Sequence, residues 1–256
     1  MKRLILVGFL TLNSVWLIGL VPVTRLGLTG PFIGIAHHAI SSLSTLLLMA
    51  IICPKALTLL RFNYDAKKLK VMLLVSALLF LPVILKSNIF AFSIAHVLMV
   101  LLFAFSIGIN EELFSRGLIL EVLKPIGIFK AIVFSSLHFG LLHLSNYYAG
   151  QAFGVTVAQI FGASAFGFMC AAILIYTNSI WLPVLIHTFT NLPMLFQPAA
   201  DFQQRATGSP DWLGTFAISF VYITIGSMVL LRSSEAGTAR LVKMGTRAGL
   251  ISVNGE

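Results

Sequence analysis

Two adjacent glutamates, Glu111 and Glu112, directly follow the apolar run from Ile89 to Ile109. An acidic or basic side chain at the centre of a bilayer costs roughly 2.5–3.5 kcal/mol on insertion scales, so ionisable residues in such segments usually have a function. Glu112 and Arg116 are four residues apart, so on a helix they share one face and can form an ion pair. Glu111 points about 100° away, which separates it from Arg116 and makes it a candidate general base. The alternative is that both glutamates end a helix among cytoplasmic headgroups.

Two histidine segments supply further groups for acid–base chemistry. His138 follows Phe134 by four residues in one apolar segment, and His187 and Asn191 share one face of another. Both segments are predicted to begin at the cytoplasmic side, so the two histidines lie at similar depths, about 10–14 Å in at the rise of an α-helix. Glu111 is expected near the cytoplasmic end of its own span, and deeper if that helix continues. The segments are therefore predicted to converge on a cavity that opens to the cytoplasm.

The other histidines are expected to serve mainly in packing. His37 and His38 open an apolar segment, where an interfacial position is predicted. His96 is expected to be packed or to line a cavity, and His143 to lie near the outer surface, off the face of His138.

The elements that must position these residues are transmembrane helices. Hydrophobic residues make up 58% of the chain, charged residues make up 10% and the mean hydropathy is +0.99, whereas a soluble domain is about a quarter charged. A span needs about 20 mostly apolar residues. The sequence predicts an all-α, polytopic transmembrane helix bundle of about eight spans: 4–23, 32–53, 71–85, 89–110, 129–145, 152–176, 180–196 and 213–231.

The basic residues predict how the bundle is oriented. Cytoplasmic loops of membrane proteins are enriched in Lys and Arg. With both termini cytoplasmic, only Arg25, Lys86 and Arg205 of the 17 Lys and Arg residues fall outside. We expect an integral, multi-pass protein of the plasma (inner) membrane, in contact with membrane lipid. Because the positive residues occupy the gaps between apolar runs, the net charge of +9 is attributed to topology, and nucleic-acid binding is not expected.

Four regions are predicted along the chain. Residues 1–88 carry N-terminal spans, residues 89–196 form the core that bears the ionisable residues, residues 197–232 form an outer loop and the last span, and residues 233–256 form a flexible basic cytoplasmic tail. Cys53 and Cys170 lie in or at the end of apolar runs and are predicted to pack there.

The ordered patterns Glu111-Glu112-x-x-x-Arg116, Phe134-x-x-x-His138 and His187-x-x-x-Asn191 resemble the three motifs of the CPBP intramembrane proteases, also called the CAAX-protease and bacteriocin-processing (Abi) family. The resemblance covers about residues 106–193. It implies a helical bundle that hydrolyses a peptide bond of a membrane-associated protein or peptide, with the Glu112–Arg116 pair as the scaffold that holds Glu111.

The resemblance also implies roles for the remaining motif residues. Glu111 is the general base for a water molecule, and His138 helps to position and activate that water. His187 and Asn191 donate hydrogen bonds to the oxyanion of the tetrahedral intermediate, where removing one donor costs about 3–4 kcal/mol.

Metal dependence and catalysis itself are left open by the sequence. Glu111, His138 and His187 are the ligands expected if a divalent metal such as zinc takes part, but an Asn beside a His suits an oxyanion hole better, and the soluble-zincin pattern His-Glu-x-x-His is absent. The alternatives of another class are a non-catalytic scaffold or immunity protein, and a proton-coupled transporter that uses Glu111 and the histidines as a relay.

Overall fold

The computed structural model describes residues 3, 5–10, 31–62, 70, 74, 92–196 and 204–247, and within these residues no strand is formed. The helices are α1 Pro31–Ile52, α2 Ile94–Glu112, α3 Leu120–Leu123, α4 Ile128–Leu142, α5 Leu144–Tyr148, α6 Phe153–Thr177, α7 Trp181–Leu195 and α8 Trp212–Arg247. Two short segments, Pro54–Leu60 and Lys124–Ile126, are 3-10 helices, and Leu113–Ile119 is π-helical. The predicted all-α bundle is confirmed.

Five helical stretches in the described part of the chain are long and apolar enough to cross a membrane: Pro31–Ile52, Ile94–Ile126, Ile128–Tyr148, Phe153–Thr177 and Trp212–Ser233. Large apolar side chains such as Leu43, Leu213 and Phe220 point outward, as expected of surfaces that face lipid. The chain is therefore an integral membrane protein.

Three of the eight predicted spans are not among these five. The predicted span 180–196 is the 15-residue helix α7, which is shorter than the about 20 residues that a span needs. The predicted spans 4–23 and 71–85 fall mostly outside the described residues. The number of spans remains a prediction.

Two predicted boundaries differ from the structure. The span predicted to end at residue 110 continues as one helical stretch to Ile126, because the residues after Glu112 are apolar and pack into the interior. The last helix continues to Arg247, through much of the segment predicted to be a flexible tail. The segment from Ser233 to Arg247 contains residues that favour a helix, namely two Ala, two Arg and one each of Glu, Leu, Lys and Met.

Helix α6 lies at the centre of the bundle. It packs against α4, α7 and α8, while α2 packs against α1 and α7. In its most apolar window, 56% of α6 is buried, compared with 17% for α1 and for α8. The outer helices thus shield a core that α2, α4, α6 and α7 build together.

The two ends of the bundle differ. At the end that we call the packed end, the N–H of Ile180 and the indole N–H of Trp181 donate to the carbonyls of Leu59 and Leu60, at 3.0 and 2.7 Å. The apolar side chains of residues 118–120 are fully buried there. At the other end, which we call the open end, the N–H of Ala152 donates to the carbonyl of Ala206 at 2.8 Å and joins two connections.

Candidate active site

Helices α2 and α7 approach closely at Gly108. A Cβ atom at this position would lie 2.8 Å from Oγ1 of Thr188 and 2.9 Å from the carbonyl oxygen of Val184. No side chain fits in that space, so glycine allows the two backbones to come together. This contact brings the C-terminal end of α2, which carries Glu111 and Glu112, against His187.

Glu112 is the buried centre of the site. It is 0% exposed, and its Oε2 lies 3.1 Å from Nε of Arg116, so the predicted ion pair is present. Its Oε1 lies 2.8 Å from Nδ1 of His187, a contact that the sequence did not indicate. Because a carboxylate only accepts hydrogen bonds, Nδ1 of His187 donates when Glu112 is ionised.

Glu111 lies on the other side of the same imidazole. Its Oε2 is 3.7 Å from Nε2 of His187, and its side chain is 31% exposed. Helical phase separates it from Arg116, as predicted, but it is not isolated from other ionisable groups. The ring of His187 is held between two carboxylates, of which only Glu111 is accessible.

Arg116 and two phenylalanines enclose the buried part of the site. The guanidinium carbon lies 4.3 Å from the centre of the Phe139 ring, and the side chain of Arg116 is 1% exposed. The rings of Phe139 and Phe166 meet the His187 ring edge-on, with centroids 5.8 and 5.1 Å away. A cation stacked on an aromatic face is stabilised more strongly when it is desolvated, which helps to offset the cost of burying the pair.

The remaining motif residues lie next to this cluster. His138 is partly buried, its ring centroid is 6.0 Å from that of Phe114, and it directly precedes Phe139. Asn191 lies one helical turn after His187 and lines a cavity beside it. The structure therefore brings Glu111, Glu112, Arg116 and His187 into direct contact, with His138 and Asn191 on neighbouring turns.

Among the described residues, no group of three or more His, Cys, Asp or Glu side chains is placed to hold a metal ion. The ligand set Glu111, His138 and His187 of the metal alternative stays a prediction. The Nδ1 atom of His187 is occupied by Glu112.

A cavity of about 540 Å³ opens beside His187 and Asn191. Its walls come from α4, α6, α7 and α8 and from residues 205–211, and they include polar side chains that the motifs do not contain: His143, Gln151, Gln159, Arg205 and Asp211. Glu111 and His138 are not among its walls. The volume falls within the range of small-ligand sites.

The cavity opens at the open end of the bundle. The charge distribution predicts that this end faces the outside, whereas the depth argument predicted a cavity open to the cytoplasm, and both stay predictions. The helical stretch Ile94–Ile126 does not stop at residue 110, so Glu111 lies near its middle, and the buried residues 113–120 fill the packed end.

His143 is a wall of the cavity, a role that sequence reasoning did not assign to it. Its Nδ1 lies 3.1 Å from the carbonyl oxygen of Phe139, and its ring is edge-on to that of Phe139 at 5.3 Å. The signal was its spacing of four residues from Phe139, which puts both side chains on one helix face.

A family model, Type II CAAX prenyl endopeptidase Rce1-like, matches residues 93–193. This segment begins just before α2 and ends within α7, so it contains the whole cluster around His187. No curated protein and no solved structure matches the chain. The resemblance drawn from the three motifs is confirmed: residues 93–193 of the chain are similar to the Rce1-like CAAX protease family.

Proposed function

We propose that this protein is an intramembrane endopeptidase that cleaves a membrane-associated protein or peptide with a water molecule activated by Glu111. The observation that carries the proposal is the asymmetry around His187. One carboxylate, Glu112, is buried and bound to Arg116, whereas the other, Glu111, is accessible and faces the free side of the ring.

In the proposed reaction, the Glu111 carboxylate takes a proton from water while the water oxygen attacks the carbonyl carbon of the scissile peptide bond. The tetrahedral intermediate then breaks its C–N bond. The proton held by Glu111 passes to the leaving nitrogen, so the products are a carboxylate and an amine. His138 is proposed to help position the water from the neighbouring helix.

His187 and Asn191 are proposed to stabilise the oxyanion. Donation from Nε2 of His187 requires a proton on that atom in addition to the Nδ1–H that Glu112 accepts, and this is the imidazolium form. Carboxylates lie next to both ring nitrogens, Glu112 at Nδ1 and Glu111 at Nε2. Asn191 lines the cavity together with His187, so its amide is within the same space.

The substrate is proposed to enter through the cavity at the open end. Apolar walls that include Phe139, Phe166 and Ile218 suit an apolar chain, and Arg205 at the rim suits an anionic group. The family is described by its action on prenylated CAAX sequences, so a farnesylated CAAX peptide is the first substrate to test. We further propose that both termini are cytoplasmic and that the protein resides in the plasma membrane.

Cleavage of a fluorescence-quenched, farnesylated CAAX peptide by purified protein tests the proposal. We expect Glu111→Gln to lower kcat by about 10²–10⁴-fold, the contribution of a positioned general base. His96→Phe is the control, since His96 stacks on Phe92 with centroids 4.8 Å apart and takes no part in the cluster. Glu111→Gln protein that cleaves at the wild-type rate would refute the mechanism.

A further inference from the structure

Helix α1 contacts α2 one residue before the proposed general base. Nδ1 of His38 lies 3.1 Å from Nδ2 of Asn110, and Asn110 directly precedes Glu111. His38 lies outside the family-matched residues 93–193, so the motifs give no indication of this contact.

The hydrogen bond determines what the two polar groups can do. The amide nitrogen of Asn110 donates and Nδ1 of His38 accepts, which leaves the ring proton on Nε2. Asn110 is only 8% exposed, and its Oδ1 has no hydrogen-bond partner within the described part of the chain. Without His38 the whole amide would be buried unpaired, and unpaired buried polar groups are costly. The hydrogen bond to His38 therefore lowers the free-energy cost of burying the Asn110 amide.

Packing holds α1 in this register. A Cβ atom on Gly34 would lie 2.5 Å from Cε2 of Phe103, so the helices touch one turn before His38. The rings of His38 and Phe103 are 5.9 Å apart. The imidazole is thus fixed next to Asn110.

We infer that His38 is a positioning residue for Glu111. It acts through Asn110 by tying the turn of α2 that carries the base to α1, and it does not touch the reacting atoms. The inference rests on the proposed function insofar as Glu111 is the base, and it adds to the site a residue from outside the three motifs.

His38→Phe and His37→Phe form a matched pair, because the two histidines are adjacent and their side chains point about 100° apart on α1. With the quenched farnesylated CAAX peptide, His38→Phe should lower kcat about tenfold, as expected of a misplaced catalytic group, and leave KM within about twofold. His37→Phe should leave both within about twofold. His38→Asn should restore most of kcat, because its Oδ1 can replace Nδ1 as the acceptor.

Asn110→Ala removes the same hydrogen bond from the side of α2. This variant tests the inference even if His38→Phe does not fold. It should lower kcat as much as His38→Phe, and the double variant should fall no further, since contacting residues are not additive. Equal kcat for His38→Phe and His37→Phe, or additive losses in the double variant, would overturn the inference.

A measurement without catalysis separates this inference from the proposed function. In protein labelled with ¹⁵N-histidine, the Nδ1 resonance of His38, assigned by its loss in His38→Phe, should shift in Asn110→Ala; an unchanged resonance overturns the inference. If that shift occurs but wild-type and Glu111→Gln proteins cleave equally, the proposed function fails and the contact between α1 and α2 is retained.

Discussion

A glutamate lies on each side of the His187 ring, and the two glutamates differ in burial. On the Nδ1 side, Glu112 is fully buried, 2.8 Å from the ring and paired with Arg116. On the Nε2 side, Glu111 is 31% exposed and 3.7 Å away. The two residues are adjacent in sequence, so the difference arises from α7, which places its histidine between them. Burial and the number of partners, rather than residue type, separate a scaffold carboxylate from a candidate base.

The largest loss of stability should come from neutralising Glu112, the buried carboxylate. Glu112→Gln leaves the Arg116 cation without its counter-charge in the interior, and we expect the free energy of unfolding to fall by about 3–5 kcal/mol. Glu111→Gln is the matched control and should change it by less than about 1 kcal/mol, because a partly exposed charge contributes little. Unfolding in mixed detergent micelles, followed by circular dichroism, measures both. Equal losses in the two variants would contradict the comparison.

A smaller loss of stability is expected from a substitution that pushes α2 and α7 apart. Gly108→Ala places a methyl group 2.8 Å from Oγ1 of Thr188, and overpacking of this kind costs about 1–3 kcal/mol. The displacement should also lower kcat, since it moves both glutamates relative to His187. The control is Gly162→Ala, where the nearest atom that the new methyl group meets, Cγ2 of Thr215, is 3.9 Å away. Stability and turnover that are the same in the two variants would show that close approach at Gly108 does not hold the site.

The smallest effect on the structure is expected from a single cysteine substitution. Labelling of this cysteine shows which side of the membrane the cavity faces. Ser209 is exposed and lines the cavity, so Ser209→Cys should react with a membrane-impermeant maleimide added to intact cells and should leave stability unchanged. Labelling only after the cells are opened would place the cavity on the cytoplasmic side.

The native thiol near the packed end is the internal control for that experiment. Burial, with a further contribution from the Glu121 carboxylate, raises the pKa of Cys53 to about 11. Its reactive thiolate is therefore scarce at neutral pH and increases as the pH rises towards 11. In opened membranes at neutral pH, maleimide should modify Cys53 much more slowly than Ser209→Cys. Equal rates would contradict the burial of Cys53.

Much of the fold was predictable because a bilayer restricts what can span it. Apolar length predicted the helices α1, α4 and α6 and the start of α8 closely, since each of these is an uninterrupted apolar run. The end of α2 was not predictable from apolarity, because the two glutamates look like a boundary. The structure continues through them, since Arg116 and His187 satisfy the buried charge of Glu112.

The site was predictable as a set of segments. The i, i+4 spacing indicated the pair Glu112 and Arg116, and similar depth indicated that the histidine spans meet the glutamates. The spacing could not predict which ring nitrogen of His187 each glutamate contacts, because Glu111 and Glu112 both lie within reach of a ring from another helix.

The sequence by itself determined the membrane class, the helical architecture and the resemblance to the CAAX proteases over residues 93–193, because composition and motif order are properties of the chain. Only the tertiary structure decided that Glu112 is the buried partner of His187, that the cavity opens away from the packed end, and that His38 reaches Asn110. These three features depend on how closely pairs of helices approach each other. Small residues such as Gly108 and Gly34 allow the close approach, and the residues that they contact are far away in sequence.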